Sequence, residues 1–290
     1  MFKRILVPLD TSPAAEKALP IAIRIARQAG GKVVLLRVVS AQTAVLPLRR
    51  QPEQERKRKA RSYLRLLKQT HGCEQCEELV ISHSGNPAKI ILDTIESHNI
   101  DLLVMSKHGQ SGLGNWLLGS VTEKVLRFSS CPVLAVREST IPQHTLFALD
   151  GSDKAEEALT PGLALARCLQ SNVTLLHVAQ EEDLPPEQLM QIQQNDSLTQ
   201  TQFEKILSKY GTDYLMKVQN EHKQANEEWQ LAVVMGESAP KILDYSQNQG
   251  IDLIVINSHG RTDSARWQYG RVSERVLRRA KSAVLLVRQA

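Results

Sequence analysis

The chain is poor in the residues that would set it apart from ordinary globular proteins. Of its 290 residues only 4 are cysteine, and 4 % are aromatic. A small secreted scaffold held by disulfides needs a denser and more regular cysteine pattern, so that class is excluded. Cys73-Glu74-Gln75-Cys76 has the spacing of a redox pair or half a zinc site, with His71 and His83 nearby. A structural zinc takes four ligands, usually from two such pairs, and no second pair is present. The expectation for Cys73 and Cys76 is therefore two ordinary loop cysteines. No apolar run approaches the ~20 residues that span a bilayer. Met1-Phe2-Lys3-Arg4 leads directly into a short apolar strand, not into the longer apolar stretch of a leader peptide. These absences predict a cytoplasmic protein without membrane contact. The basic run from Arg49 to Arg61 contains no aromatic residue, and only Tyr63 follows it. Stacking on bases needs aromatic platforms, so nucleic acid is not the expected partner, and the run reads as the solvated start of a helix.

What is present is a duplication. Ile5-Leu6-Val7-Pro8-Leu9-Asp10-Thr11-Ser12 returns as Thr145-Leu146-Phe147-Ala148-Leu149-Asp150-Gly151-Ser152, and Leu35–Val38 returns as Leu175–Val178. Asn99-Ile100-Asp101-Leu102-Leu103-Val104 returns as Gly250-Ile251-Asp252-Leu253-Ile254-Val255 at a longer offset. The second copy therefore carries an insertion between residues 181 and 235. A period this long marks two whole domains, placed at residues 1–140 and 141–290. The apolar fraction of 42 % with 23 % charged residues suits two soluble cores. Charge divides unevenly: the net +5 is the sum of a basic first half and an acidic second half.

Each copy alternates apolar strands with helical stripes. In the first, strands are expected at Ile5–Leu9, Val33–Val39, Leu79–His83, Leu102–Ser106 and Val133–Arg137, and helices at Ala14–Ala29, Ser62–Gln69, Pro87–Ser97 and Gly119–Phe128. Continuous apolar strands separated by helices predict an α/β fold: two tandem copies of a five-stranded parallel, Rossmann-like sheet with helices on both faces. The fifth strand of the second copy falls at Ala283–Arg288. Its insertion, Glu181–Trp229, is Gln-rich, yet Leu189, Ile192, Phe203, Ile206 and Leu207 mark an amphipathic helical face from Pro186 onward.

Ligands of such sheets bind beyond the carboxyl ends of the strands. Two of these ends in the first copy carry polar loops, Asp10-Thr11-Ser12 and the stretch Ser106–Ser120. Ser106-Lys107-His108-Gly109, nine further residues and Gly119-Ser120-Val121-Thr122 read as an anion-binding loop at a helix start. Taken alone, Gly109 and Gly119 serve equally well as turn residues, and Asp10 as a helix cap. His108 and His259 have no evident acid or metal partner nearby in the sequence and read as loop residues.

The element order, the Asp10-Thr11-Ser12 turn, Val104-Met105-Ser106-Lys107-His108-Gly109, and Leu117-Leu118-Gly119-Ser120-Val121 followed by Cys131-Pro132-Val133-Leu134 resemble universal stress proteins. The resemblance spans nearly the whole chain, twice. It implies ATP binding through a Gly-x2-Gly-x9-Gly-Ser/Thr loop. Gly109, Gly119 and Ser120 would hold the phosphates, with Val121, Thr122 and His108 close by. Asp10, with Thr11 and Ser12, would meet the ribose or a Mg ion. Val38 would present its backbone to the adenine, and Pro8 and Met105 would line the base pocket. Ser106 replaces the motif's first glycine, which strains the backbone if φ is positive there and adds a hydroxyl if it is not. The second copy departs further, with Asn257 for that glycine and Arg271 for the final serine. Arg271 either pairs with a phosphate or fills the pocket; filling is the expectation, which makes the second domain a mainly structural partner. The resemblance also implies pairing of the two fifth strands within one chain, and leaves a homodimer open. No general base stands beside the loop, so no catalytic residue is assigned. ATP held as a signal, a protein-contact module without nucleotide and a slow ATPase are the readings that remain.

Overall fold

The computed structural model describes residues 1–40, 52–83, 86–107, 118–194, 199–259 and 270–288. The chain forms two compact units, Met1–Ile141 together with Ala283–Ala290, and Pro142–Ser282.

In chain order the first unit runs β1 (Arg4–Pro8), α1 (Pro13–Glu16), α2 (Ala18–Ala29), β2 (Lys32–Ser40), α3 (Glu53–Thr70), β3 (Glu77–His83), α4 (Pro87–Ser97), β4 (Leu102–Ser106), α5 (Ser120–Phe128) and β5 (Val133–Val136). The second runs β6 (His144–Leu149), α6 (Asp153–Glu156), α7 (Leu159–Leu169), β7 (Asn172–Ala179), α8 (Pro186–Gln193), α9 (Gln200–His222), β8 (Trp229–Met235), α10 (Ser238–Asn248), β9 (Leu253–Asn257) and α11 (Arg271–Arg279). The last strand, β10 (Ala283–Val287), belongs to the first unit.

Strand order in the first unit is β3-β2-β1-β4-β5-β10. The first five are parallel, and β10 joins β5 antiparallel with Val284 opposite Ala135 and Leu286 opposite Val133. In the second unit β9-β6-β7-β8 are parallel. The inner strands are buried on both faces: Leu6, Leu103, Leu134, Leu146 and Leu253 are all fully inaccessible. That is why these strands read as unbroken apolar runs and not as alternating ones.

The helix expected at Ala14–Ala29 is two helices, interrupted at Lys17. Pro20 lacks the N–H that would bond the carbonyl four residues back, and its ring crowds that carbonyl, so no helix continues through its preceding turn. Pro161 stands at the corresponding place in α7, where the break recurs. Gly31 follows the left-handed Gly30 that ends α2; a Cβ there would lie 2.1 Å from the Phe2 carbonyl, so only glycine lets the chain turn into β2.

The repeated Asp101 and Asp252 have a structural task. Asp101 accepts from the N–H groups of Lys3 and Arg4, and Asp252 from those of Gln143 and His144. Each thus caps the entry of its first strand, at the end of the sheet opposite the polar loops.

The insertion folds as the amphipathic pattern predicts. Leu189, Ile192, Phe203 and Ile206 pack around Leu207, Leu184 and Ala179, with Val233 and Met235 beneath. One expectation is overturned here: Cys73 and Cys76 are joined by a disulfide. The turn after α3 folds back through a bond from the Cys76 N–H to the Cys73 carbonyl, which brings their Cα atoms to 5.4 Å. The corresponding turn of the second unit is closed by a bidentate ion pair from Arg167 to Glu227.

Candidate functional site

At the carboxyl end of β1 the chain passes through Asp10. One carboxylate oxygen accepts from both the N–H (2.9 Å) and the hydroxyl (2.5 Å) of Ser12, and the Ser12 hydroxyl in turn accepts from Ala15 N–H. Ser12 is therefore the N-cap of α1, oriented by Asp10. Between them Thr11 has φ +72°, a left-handed conformation that a β-branched residue rarely adopts, and its hydroxyl donates to the Asp10 carbonyl. The second unit repeats this turn with Asp150 and Ser152, and there Gly151 takes the strained position at φ +80°.

At the carboxyl end of β4, Ser106 is ordinary strand backbone, so serine at the motif's first position costs no conformational strain. Its carbonyl accepts from the Thr122 hydroxyl, and the Lys107 carbonyl accepts from Gly119 N–H. These two bonds pin the start of α5 against the end of β4. Gly119 is the N-cap, at φ −60° and without a side-chain cap, which leaves Ser120 exposed at the first helical position with Val121 half-buried behind it. Thr122 is buried and acts as a strut, not as a ligand-facing hydroxyl. Pro8 and the buried Met105 close the ends of neighbouring parallel strands. His108 and Gly109 lie outside the described residues.

Around Asp10 the structure brings together residues that the sequence reading passed over. Arg37 reaches from β2 to the carbonyls of Leu9 and Val38. Burial lowers the pKa of its guanidinium, an effect opposed by the Asp10 charge beside it. The backbone of Val38 is the part expected to face adenine, and its carbonyl accepts from Arg37. Tyr63, from α3, donates to Glu16 at 2.8 Å, and its phenol is raised by burial first and by Glu16 second. The signal for Arg37 was available: a charged residue inside the β-branched run Val33–Val39 requires a local partner.

The same positions in the second unit hold different chemistry. His177 replaces Arg37; it is buried, with Nδ1 3.0 Å from the Leu149 carbonyl and Nε2 2.7 Å from Asp183. A carbonyl can only accept, so Nδ1 is the donor in that contact. Tyr214 stands edge-on to this ring, and Gly211 in α9 allows the approach, since a Cβ there would lie 2.8 Å from the imidazole.

A cavity of about 550 Å³ opens at the carboxyl ends of the second unit's strands. It lies over Leu176, Val178, Ile242 and Ile256 and reaches Asp150, Asn257, Gly270 and Arg271. The expectation that Arg271 fills this pocket is not met. Arg271 is the first residue of α11 and is exposed at the cavity's edge. Asn257 is committed within the protein: its amide donates to the Lys154 carbonyl and to Glu157, and its oxygen accepts from His259 N–H.

Compared with known proteins, the chain matches the model of the universal stress protein family twice, over residues 1–137 and 142–288. A universal stress protein of Bacillus subtilis, YxiE, is 30 % identical over 151 residues, covering 47 % of this chain and all of that protein. One from Methanocaldococcus jannaschii, MJ0531, is 31 % identical over 145 residues, covering 48 % of this chain and 84 % of its own length. Among solved structures, a universal stress protein from Archaeoglobus fulgidus superposes over the full length of both chains with a TM-score of 0.73 at 20 % identity, a likeness of fold.

Proposed function

The chain belongs to the universal stress protein family, with two tandem copies of its domain, and we propose that it is a cytoplasmic stress-response regulator that binds ATP in the first unit. The observation that carries this reading is the uncapped start of α5. Its first N–H groups have no acceptor within the helix, among the described residues no side chain caps them, and two bonds fix them beside the end of β4. Such an end favours a phosphate through its oriented N–H groups and its partial positive charge. Gly119 is not required by its backbone angle, so the absent side chain supplies room for close approach. Ser120 adds a hydroxyl at the edge, Pro8 and Met105 offer apolar surface for a base, and Asp10 stands across the strand ends where a ribose would lie.

A Mg ion fits this donor set only in part. Asp10 offers a hard carboxylate, and among the described residues no cluster of three acidic, His or Cys side chains surrounds it. Mg habitually combines one or two carboxylates with phosphate oxygens and water, so Asp10 together with a bound triphosphate would hold it. The ion's contribution would be to neutralise phosphate charge; the positioning comes from the chain.

Mass spectrometry of small molecules released on denaturing the purified chain, followed by calorimetric titration with ATP and Mg, tests the proposal. About one ATP in the first unit is expected, lost on Gly119→Val because a branched side chain occupies the phosphate approach. Retention of ATP by a folded Gly119→Val chain would overturn the site.

A further inference from the structure

Cys73 and Cys76 take no part in the function proposed above, and the second copy holds no cysteine in the corresponding turn. We propose that the pair is a thiol–disulfide exchange site whose reactants are small thiols of the glutathione class, and whose two states set how firmly α3 and β3 are held to the first unit. Three observations lead there.

The first is that the turn does not need the disulfide for its shape. An arginine reaches it in both copies: Arg27 donates to the Gly72 carbonyl at 2.9 Å, and Arg167 to the His222 carbonyl and to Glu227. The second unit closes its turn with that arginine and a carboxylate, and without sulfur. In the first unit, bonds from Cys73 N–H to the Lys68 carbonyl and from Cys76 N–H to the Cys73 carbonyl, each 2.9 Å, fold the turn as well. A link between cysteines separated by 3 positions encloses a short loop, so it removes less freedom from the unfolded chain than a long-range link does. Folding stability alone is a weak reason for the pair.

The second is that the turn keeps the pair within its own reach. Neither backbone bond involves sulfur, and they bring the Cα atoms to 5.4 Å, so a reduced pair stays placed to close again. Glu74 and Gln75 between them are exposed, and opening of this tip admits a small thiol. The attacking thiolate RS⁻ bonds one sulfur and expels the other as a thiolate. A second RS⁻ then bonds the R-bearing sulfur of this mixed disulfide and expels the remaining cysteine thiolate. The protons given up by two RSH end on the two cysteines, RSH is oxidised to RSSR, and the disulfide is reduced to two thiols. In the reverse direction RSSR is the oxidant.

The third is where the turn sits. It joins α3 to β3, which among the described strands is bonded to β2 alone and is half-buried at every position. An edge element of this kind belongs to the low-stability end of a fold. Both cysteines are only 3 % exposed. Two separate sulfurs need more room than a bonded pair, and a packed site yields it only by moving the turn. Reduction therefore loosens the start of β3, where Glu77 meets Arg4 and Lys32. The turn lies at the amino ends of the parallel strands and the proposed ATP site at their carboxyl ends, so the two readings stand or fall separately.

The test uses the full chain, equilibrated at neutral pH with graded ratios of reduced to oxidised glutathione, quenched with acid, alkylated and mapped by mass spectrometry. The peptide holding both cysteines is expected to pass from disulfide to dithiol within the series, in proportion to the square of reduced over oxidised glutathione. Hydrogen exchange on the two end states is expected to be roughly tenfold faster across Glu77–His83 in the dithiol form, with β8, the corresponding strand of the second unit, unchanged. The double variant Cys73→Ser, Cys76→Ser is expected to show the faster β3 exchange in both buffers. A pair that stays wholly oxidised or wholly reduced across the series would overturn the proposal. So would β3 exchange that is equal in the two states, a β8 response as large as that of β3, or a redox response of β3 that persists in the double variant.

Discussion

Thr11 is the residue at which the two copies disagree most plainly about backbone. Both place this position in the left-handed region, and only the second copy uses glycine there. Holding a β-branched residue in that conformation costs about 1–3 kcal/mol, part of which glycine would return as greater freedom in the unfolded chain. Thr11→Gly is therefore expected to stabilise the protein by up to about 1 kcal/mol, read as a higher urea midpoint with an unchanged slope. A lower midpoint would mean that the Thr11 hydroxyl on the Asp10 carbonyl outweighs the strain. Lys107 offers a second test at this scale. Its side chain is buried, and loss of solvation, with Arg137 adding repulsion, lowers its pKa to about 7. Below that pH the folded state must bury an ammonium. Between about 7 and the ordinary lysine value of 10.5 the unfolded chain holds a proton that the folded chain lacks, so stability rises with pH across that window. Lys107→Met is expected to stabilise the protein at pH 6 by an amount on the order of a few kcal/mol, with a gain that shrinks as pH is raised toward 10. Chemical denaturation at pH 6, 8 and 9.5 checks it; a gain independent of pH would show that volume, not charge, is at issue.

Among the elements, the strands were legible and the helix interruptions less so. Leu102–Ser106 was expected and found without a shift, because an apolar run bounded by polar loops has only one way to sit in a parallel sheet. The single helix expected at Ala14–Ala29 broke because the apolar stripe continues across Lys17 while Pro20 forbids the hydrogen bond that the stripe cannot report. At the site, Asp10, Ser12 and the start of α5 were readable from spacing. That Arg37 needs a partner was readable from its place in a β-branched run, but its bond to Leu9 and the Tyr63–Glu16 contact were not, since they join residues far apart in sequence. Ser12 and Thr122 were expected beside a nucleotide from the family resemblance, and each engages its hydroxyl in holding an element in place. The insertion shows the same division. Its apolar face was visible in the sequence, while the lock between Asp183 and His177 was not. Leu207, which sits in that face and is 5 % exposed, is expected to cost about 2–4 kcal/mol on truncation to alanine. A loss below 1 kcal/mol in equilibrium unfolding would mean that α8 and α9 contribute little to the second unit's stability.

For the whole molecule, the strand that ends the second copy completes the first unit's sheet. The duplication suggests a border near residue 140, where the short linker Glu138–Gln143 begins, yet Ala283–Ala290 groups with Met1–Ile141. The reason lies in β5. Its four residues are all buried, and β10 supplies the antiparallel partner that covers its outer edge, with Leu285 opposite Leu134. A fragment cut at the sequence border would leave Val133–Val136 as a short, apolar, unpaired edge, which is a template for pairing with another chain. Residues 1–141 expressed alone are therefore expected to self-associate, or to unfold at a lower urea concentration than the first unit does in the full chain. Adding Ala283–Ala290 through a flexible linker is expected to return the fragment to a monomer, because it restores the missing ladder within one chain. Sedimentation velocity on the two fragments decides it. A monomeric, fully stable 1–141 fragment would show that β5 tolerates an open edge, and that β10 is an addition to this sheet and not a requirement of it.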